Sequence, residues 1–185
     1  MAEICTEEQK VVKDSIMDLS FKDKSYEVFN MFDKQWALAT AGTIDQYNTC
    51  TIGWGTLGDI WGGPMKGRPI CTIFISEGRY TNRFLLDNEY FTVSFFPEEY
   101  RKDLITLGRN SGRDGDKVAL TDLTPEEHEH GVIFKEASLT FVCRKLYWDQ
   151  FDTSHITDSE IVNGLYSRVP VHYEYIGEIV DVIEH

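Results

Sequence analysis

The sequence predicts a mainly β fold with short helices, in which the strands roll into a closed or split barrel. Three observations lead there. Runs rich in β-branched and aromatic residues recur at Trp36–Ala41, Tyr47–Ile52, Pro69–Ile75, Tyr90–Phe95, Leu139–Trp148 and Tyr173–Ile183. Small helices lie between them, and a closed or split barrel removes the edges that many short strands would otherwise expose. A chain of 185 residues with 42% hydrophobic residues fits one domain and one substantial core.

In chain order, residues 1–19 read as an appended helix ahead of a domain spanning 20–185. Thr6 and Gln9 form a capping box, and Val12, Ile16 and Leu19 an apolar stripe. Ser20 to Ser25 is a charged connector. Trp36–Ala41 ends at Gly42, and Ile44-Asp45-Gln46 makes a polar crossing to the next strand. In that strand Thr49 and Thr51 share one face and Cys50 takes the other. Gly53 and Gly55 flank Trp54; they let a flat ligand approach the main chain closely, or let the chain turn or bulge. Trp61–Gly67 is a turn-rich loop. After Pro69–Ile75, Ser76-Glu77-Gly78-Arg79-Tyr80-Thr81 leads into a short helix carrying Phe84 and Leu85. Pro97 suits a first helical position, Tyr100, Leu104 and Leu107 share an apolar face, and Gly108 ends that helix. Asn110–Gly115 is a glycine-containing loop that delivers Lys117. Thr124-Pro125-Glu126-Glu127 starts another helical turn, and Thr157 with Glu160 caps a last short helix closed by Gly164.

A net charge of −13 argues against nucleic acid and against an anionic membrane surface as partners. Any phosphate site must then be a local concentration of donors set against an unfavourable overall field. The four cysteines, Cys5, Cys50, Cys71 and Cys143, include no Cys-x-x-Cys pair, which removes the zinc and thioredoxin readings. Cys71 and Cys143 fall in strand-like runs and read as buried thiols. His128 and His130 flank Glu129 at a loop tip with no third ligand nearby, so they read as solvated and no metal is expected. No apolar run is long enough to cross a bilayer or to serve as a signal peptide, and the expected compartment is a reducing cytoplasm.

Two stretches carry chemistry. A helix start beside Arg79 and Thr81 offers free N–H groups and a cation, which together suit an anion, although Thr81 also reads as an N-cap and Arg79 as a surface charge. The glycines around Trp54 bare the main chain of the strand before them. These stretches belong to an ordered set: Trp36-Ala37-Leu38-Ala39-Thr40-Ala41-Gly42, Asn48-Thr49-Cys50-Thr51-Ile52-Gly53-Trp54-Gly55, Arg79-Tyr80-Thr81, Tyr90-Phe91-Thr92-Val93-Ser94-Phe95-Phe96, Ser111-Gly112-Arg113-Asp114-Gly115-Asp116-Lys117 and His172-Tyr173-Glu174-Tyr175-Ile176-Gly177-Glu178-Ile179. In this set the chain resembles the flavin reductase-like, or flavoredoxin, family, from about Phe29 to the C-terminus. One departure is Cys50, where the family usually shows methionine; it sets a thiol close to the expected flavin.

The resemblance implies an FMN-binding split β-barrel of antiparallel, Greek-key strands. It implies an FMN-dependent oxidoreductase of the flavin reductase type, drawing electrons from NADH, NADPH or another donor. Main-chain groups around Asn48, Thr49, Cys50, Thr51 and Gly53 would meet the flavin ring, with Trp54 flanking the ring or joining the core. Arg79 and Thr81 would hold the phosphate, and Ser111, Gly112 and Lys117 would reach the ribityl chain, the phosphate or the electron-rich edge of the ring. His172 lies where related reductases place a histidine near the open flavin face and is the catalytic candidate; its alternative is a barrel-end histidine paired with main chain. The missing Rossmann fingerprint does not exclude nicotinamide, because the family binds it without one. Family members are homodimers with flavin at the subunit interface, so a homodimer is expected. Two other readings stay open: an electron carrier that serves redox-protein partners and has no small-molecule substrate, and a flavin-free barrel used as a binding module.

Overall fold

Small residues alternating with larger ones form the first hairpin. β1 (Ala37–Thr43) turns Ala37, Ala39 and Ala41 to one side and Leu38 to the other, and pairs with β2 (Gln46–Ile52) across the Ile44-Asp45 turn. This is a computed structural model describing residues 20–63 and 66–185; the helix expected over 1–19 lies outside the described residues. After β2, only Gly53 and Trp54 precede β3 (Gly55–Ile60). Then come β4 (Arg68–Ser76), α1 (Tyr80–Asp87), β5 (Tyr90–Phe95), α2 (Arg101–Arg109), β6 (Pro125–His128), β7 (Gly131–Phe134), β8 (Leu139–Gln150) and β9 (His172–Glu184).

Among the described residues, seven strands form one antiparallel sheet in the order β2-β1-β5-β8-β9-β4-β3, and β6 and β7 form a separate hairpin. β2 and β3 are thus the two edges of the ladder, yet two residues connect them. A linker of that length spans no more than about 3.3–3.6 Å per residue, so the sheet must curl until its edges nearly meet. No ladder joins the edges, and the barrel is split along that seam rather than closed.

The curl encloses the main core, where Ala39, Cys50, Ile73, Phe91, Phe95, Phe141, Cys143 and Tyr175 are all buried. α1 covers one end with Leu85, and the Tyr175 hydroxyl donates to Asn82 Oδ1 at 2.6 Å. A second apolar cluster lies outside the sheet, where Leu38 meets Phe96, Leu104, Leu107, Val118 and Phe134. It fixes α2 and the β6–β7 hairpin against the first strands. Each fully buried side chain of this size contributes about 1.5–3 kcal/mol, so α2 is held firmly where its C-terminal end matters for the site. No helix among the described residues is long and apolar enough to cross a membrane.

Several local expectations are corrected. The stretch after Trp54 is a strand, β3, although its two glycines and an aspartate gave it no strand signature; it is an edge strand, paired on one side only and half exposed. Thr124–Glu127 is not a helical turn: Pro125–His128 pairs with β7, because Val132 and Phe134 are buried and draw the hairpin onto the sheet. Pro97 precedes a 3-10 turn at Glu98–Tyr100 instead of starting the helix, and α2 runs through Gly108 to Arg109, ending at extended Asn110. The last helical segment is capped by Asp158, whose Oδ1 accepts from Glu160 N at 2.8 Å, and it passes Gly164 to reach Leu165. His128 and His130 are not simply solvated: His128 pairs with Asp181 at 3.2 Å and His130 stacks on Tyr90 at 4.2 Å between centroids.

Gly55 shows how tightly the seam is packed. A Cβ there would fall 2.3 Å from Phe32 Cε1, so a protein side chain, not a flat ligand, occupies the space this glycine leaves. Gly55→Ala is expected to lose about 1–3 kcal/mol of stability in urea titration, and to lose clearly less in a Phe32→Ala background, where the obstructing ring is gone. Equal losses in both backgrounds would contradict this packing.

Candidate functional site

The site grows from the meeting of β2, α1 and the C-terminal end of α2. Asn48, inward on β2, accepts at Oδ1 from the Thr81 hydroxyl in the first turn of α1, at 2.7 Å, and both residues are buried. Gly112 closes over this pair: a Cβ on it would lie 1.9 Å from Asn48 Nδ2. Only a residue without a side chain lets the 110–117 loop come so near.

That loop and α2 gather cations. Lys117 is buried, and its Nζ donates to Leu107 O at 2.8 Å and Asn110 O at 3.1 Å. Arg79 Nη1 donates to Gly108 O at 2.6 Å. The free carbonyls and dipole of a helix C-terminus favour positive charge in this way. The Arg113 guanidinium lies 4.9 Å from the Tyr80 ring centroid, with Nη1 donating to Gly78 O at 3.2 Å. With Arg109, these side chains line a recess of about 130 Å³ that has no carboxylate in its described lining. α1 opens onto it with no side-chain cap: the N-cap residue is Arg79, not Thr81, which is the second residue of the helix. The electrostatics are those of a site that wants an anion. Burial lowers the Lys117 ammonium; nearby Cys50 partly offsets this and Arg79 adds to it. Burial raises the Cys50 thiol, against the pull of Thr81, Lys117 and Arg79, so Cys50 is a protonated, unreactive thiol at neutral pH.

Cys50, Gly78 and Arg79 also border an adjoining cleft of about 540 Å³. Its walls are the end of β2, Gly53 and Trp54, the end of β4, the 165–170 segment and His172. This size lies within the range of about 300–1,000 Å³ usual for small-molecule sites. His172 opens β9 opposite Ser76, its ring 4.5 Å from Trp54 and 5.8 Å from Tyr166 between centroids. Burial, and then Arg79, lowers its pKa. Its Nδ1 is buried and has no hydrogen-bond partner among the described residues.

Of the residues singled out in the sequence, Asn48, Cys50, Thr51, Gly53, Trp54, Arg79, Thr81, Ser111, Gly112, Lys117 and His172 all line the recess or the cleft. Thr49 does not. Its hydroxyl accepts from Thr40 at 2.8 Å and donates to Ala39 O at 3.2 Å, on the far face of β2. The Thr51 hydroxyl is likewise turned away, donating to Leu104 O, so only its main chain serves the cleft. Trp54 is 44% exposed and is not a core tryptophan. Arg109, just before the glycine loop that delivers Lys117, and Arg113, within it, also line the recess, and no local sequence pattern marks them for it.

Comparison with known proteins agrees with this architecture. The chain superposes on a flavoredoxin from Methanosarcina acetivorans with a TM-score of 0.60 and 21% identity, over 82% of this chain and 68% of that one. An FMN-binding protein from Thermus thermophilus with bound 1-cyclohex-2-enone gives a TM-score of 0.62 and 22% identity, over 87% and 80%. An NADH:FAD oxidoreductase from Streptomyces globisporus, in complex with NAD and FAD fragments, gives 0.58 and 14%, over 85% and 79%. At these identities the likeness establishes the fold alone. Among curated proteins no match was found. The sequence family described as the Flavin reductase like domain matches residues 31–185, which takes in every strand and both helices of the site. The chain belongs to the flavin reductase-like family.

Proposed function

We propose that the protein is an FMN-binding oxidoreductase of the flavin reductase type. The observation that carries this reading is the adjacency of a cation-lined recess and a ring-sized cleft, which share Cys50, Gly78 and Arg79, in a protein of net charge −13. A dianionic phosphate fits the recess, since Arg79, Arg109, Arg113 and Lys117 supply charge and the uncapped first turn of α1 supplies N–H donors. The main chain of Thr51 to Gly53, which borders the cleft, would hold the edge of a flavin ring. When bound, the flavin supplies the hydride and single-electron chemistry. The unpartnered Nδ1 of His172 fits a site completed by a ligand, because a buried polar atom left alone is costly.

The chain's own residues have three tasks. Arg79 orients the phosphate with a planar fork. Lys117, held by two carbonyls, sets a fixed positive potential behind Cys50. His172, kept neutral by burial, presents an imidazole that donates at one nitrogen and accepts at the other to a substrate polar group. Whether electrons arrive from NADH, NADPH or a redox protein is decided by mixing each with the flavin-loaded protein and following flavin bleaching. Rapid bleaching by a reduced nicotinamide supports the enzyme, and bleaching by a redox protein alone supports a carrier.

Phosphate recognition is tested by a ligand pair. A charge-assisted hydrogen bond is worth about 1.5–3 kcal/mol, so Arg79→Ala should weaken FMN roughly ten- to a hundredfold while leaving riboflavin, which lacks the phosphate, almost unchanged. Equal losses for both flavins in fluorescence titrations would mean that Arg79 acts through the fold. No loss for either would make it a surface charge.

His172 is tested by pH. Its pKa in the folded protein is depressed below the ordinary value, so the unfolded chain binds more protons between the two values, and stability falls as pH drops through that window. An NMR titration should place the His172 midpoint below about 6.5, and His172→Gln should flatten the loss of stability on acidification below about pH 6.5. A midpoint at or above the ordinary value would contradict the buried, neutral imidazole.

A further inference from the structure

Behind Trp54 lies a larger cavity, of about 870 Å³, that none of the roles above uses. Trp54 and Leu165 line both it and the cleft, so the two spaces adjoin at these side chains. Its walls are aromatic and apolar, with Tyr147, Phe151, Ile161 and Tyr166 joining Trp54. Its polar lining is acidic: Asp149, Asp152 and Glu174 face it, against His155 alone as a basic side chain among the described residues.

Two of these acids stand in an unusual relation. Asp149 on β8 and Glu174 on β9 are direct partners across the antiparallel ladder. Like charges placed so are destabilising. Asp149 accepts from the Tyr147 hydroxyl at 3.0 Å. Among the described residues neither Asp149 nor Glu174 pairs with a basic side chain. The recess on the other side of the cleft has the opposite composition, with four cations and no acid. The two ends of the site therefore select for opposite charge.

We propose that this cavity binds a planar, positively charged aromatic molecule, its ring against Trp54 and Tyr166 and its charge beside Asp149 and Glu174. Aromatic faces attract cations, and the facing carboxylates gain the counter-charge they lack. Molecules carrying a pyrophosphate are disfavoured by the same acids. The binding does not rest on the flavin reading.

The test uses the full chain, with and without FMN, and three probes of one shape: 1-benzyl-3-carbamoylpyridinium, its neutral isostere 3-benzylbenzamide, and the anion 3-benzylbenzoate. By calorimetry at low salt the cation should bind about tenfold more tightly than the neutral probe, from two exposed charge contacts and one cation–π contact, and the anion should bind weakest. The preference should be present without FMN, so that failure of the flavin reading leaves it standing. It should shrink with added salt in the wild type, and it should vanish in Asp149→Asn/Glu174→Gln, a variant expected to be at least as heat-stable as the wild type because it removes the facing charges. Equal binding of cation and neutral probe, no binding of either, or a preference that survives both salt and the double variant would overturn the proposal.

Discussion

A two-residue link between two strands at opposite edges of one sheet governs this molecule. Because Gly53 and Trp54 alone join Ile52 to Gly55, the ladder has to roll until its first and last strands come together, and among the described residues no ladder pairs them across the seam. At the seam Phe32 fills the space at Gly55, and Trp54 stands partly exposed. The cleft opens at that place. The roll also sets β9 beside β4, so that His172 comes to face the residues that follow β2 although they are far apart in sequence.

The second organising force is electrostatic. A chain with so much excess negative charge repels phosphate at long range, and only a concentrated arrangement of donors reverses the sign locally. The C-terminal carbonyls of α2 do this by holding Arg79 and Lys117 together, a job the outer apolar cluster makes possible by fixing α2 in place. Charge is segregated between the recess at the α1 end, which is cationic, and the cavity beyond Trp54, whose polar lining is acidic.

Much of this was legible in the sequence because the strands that build the core carry strong local signals. Ala39, Cys50, Ile73, Phe91 and Phe141 each fall in a run whose alternation or β-branching marks a buried strand, and Thr49, Cys50 and Thr51 divide between two faces as their spacing requires. What escaped had weak or misleading local signals. β3 is a half-exposed edge containing Gly58 and Asp59, and its partner β4 supplies the order its own residues lack. Thr124-Pro125-Glu126-Glu127 looks like a helix start, but tertiary contact through Val132 and Phe134 overrides the local preference. Arg109 and Arg113 were visible as charges, yet only the loop's path over Asn48 shows that they converge with Arg79. The acid pair Asp149 and Glu174 depends on strand register, which no local pattern reveals.

The central claim is that the recess and the cleft together hold one flavin by its phosphate and its ring. The most direct measurement is to incubate the purified full chain with excess FMN, pass it through a desalting column, and record the visible spectrum and flavin content of the protein fraction. The account predicts a yellow protein retaining stoichiometric FMN, with the flavin fluorescence quenched. A colourless fraction, with FMN eluting freely and its fluorescence unaltered at micromolar protein, would contradict it.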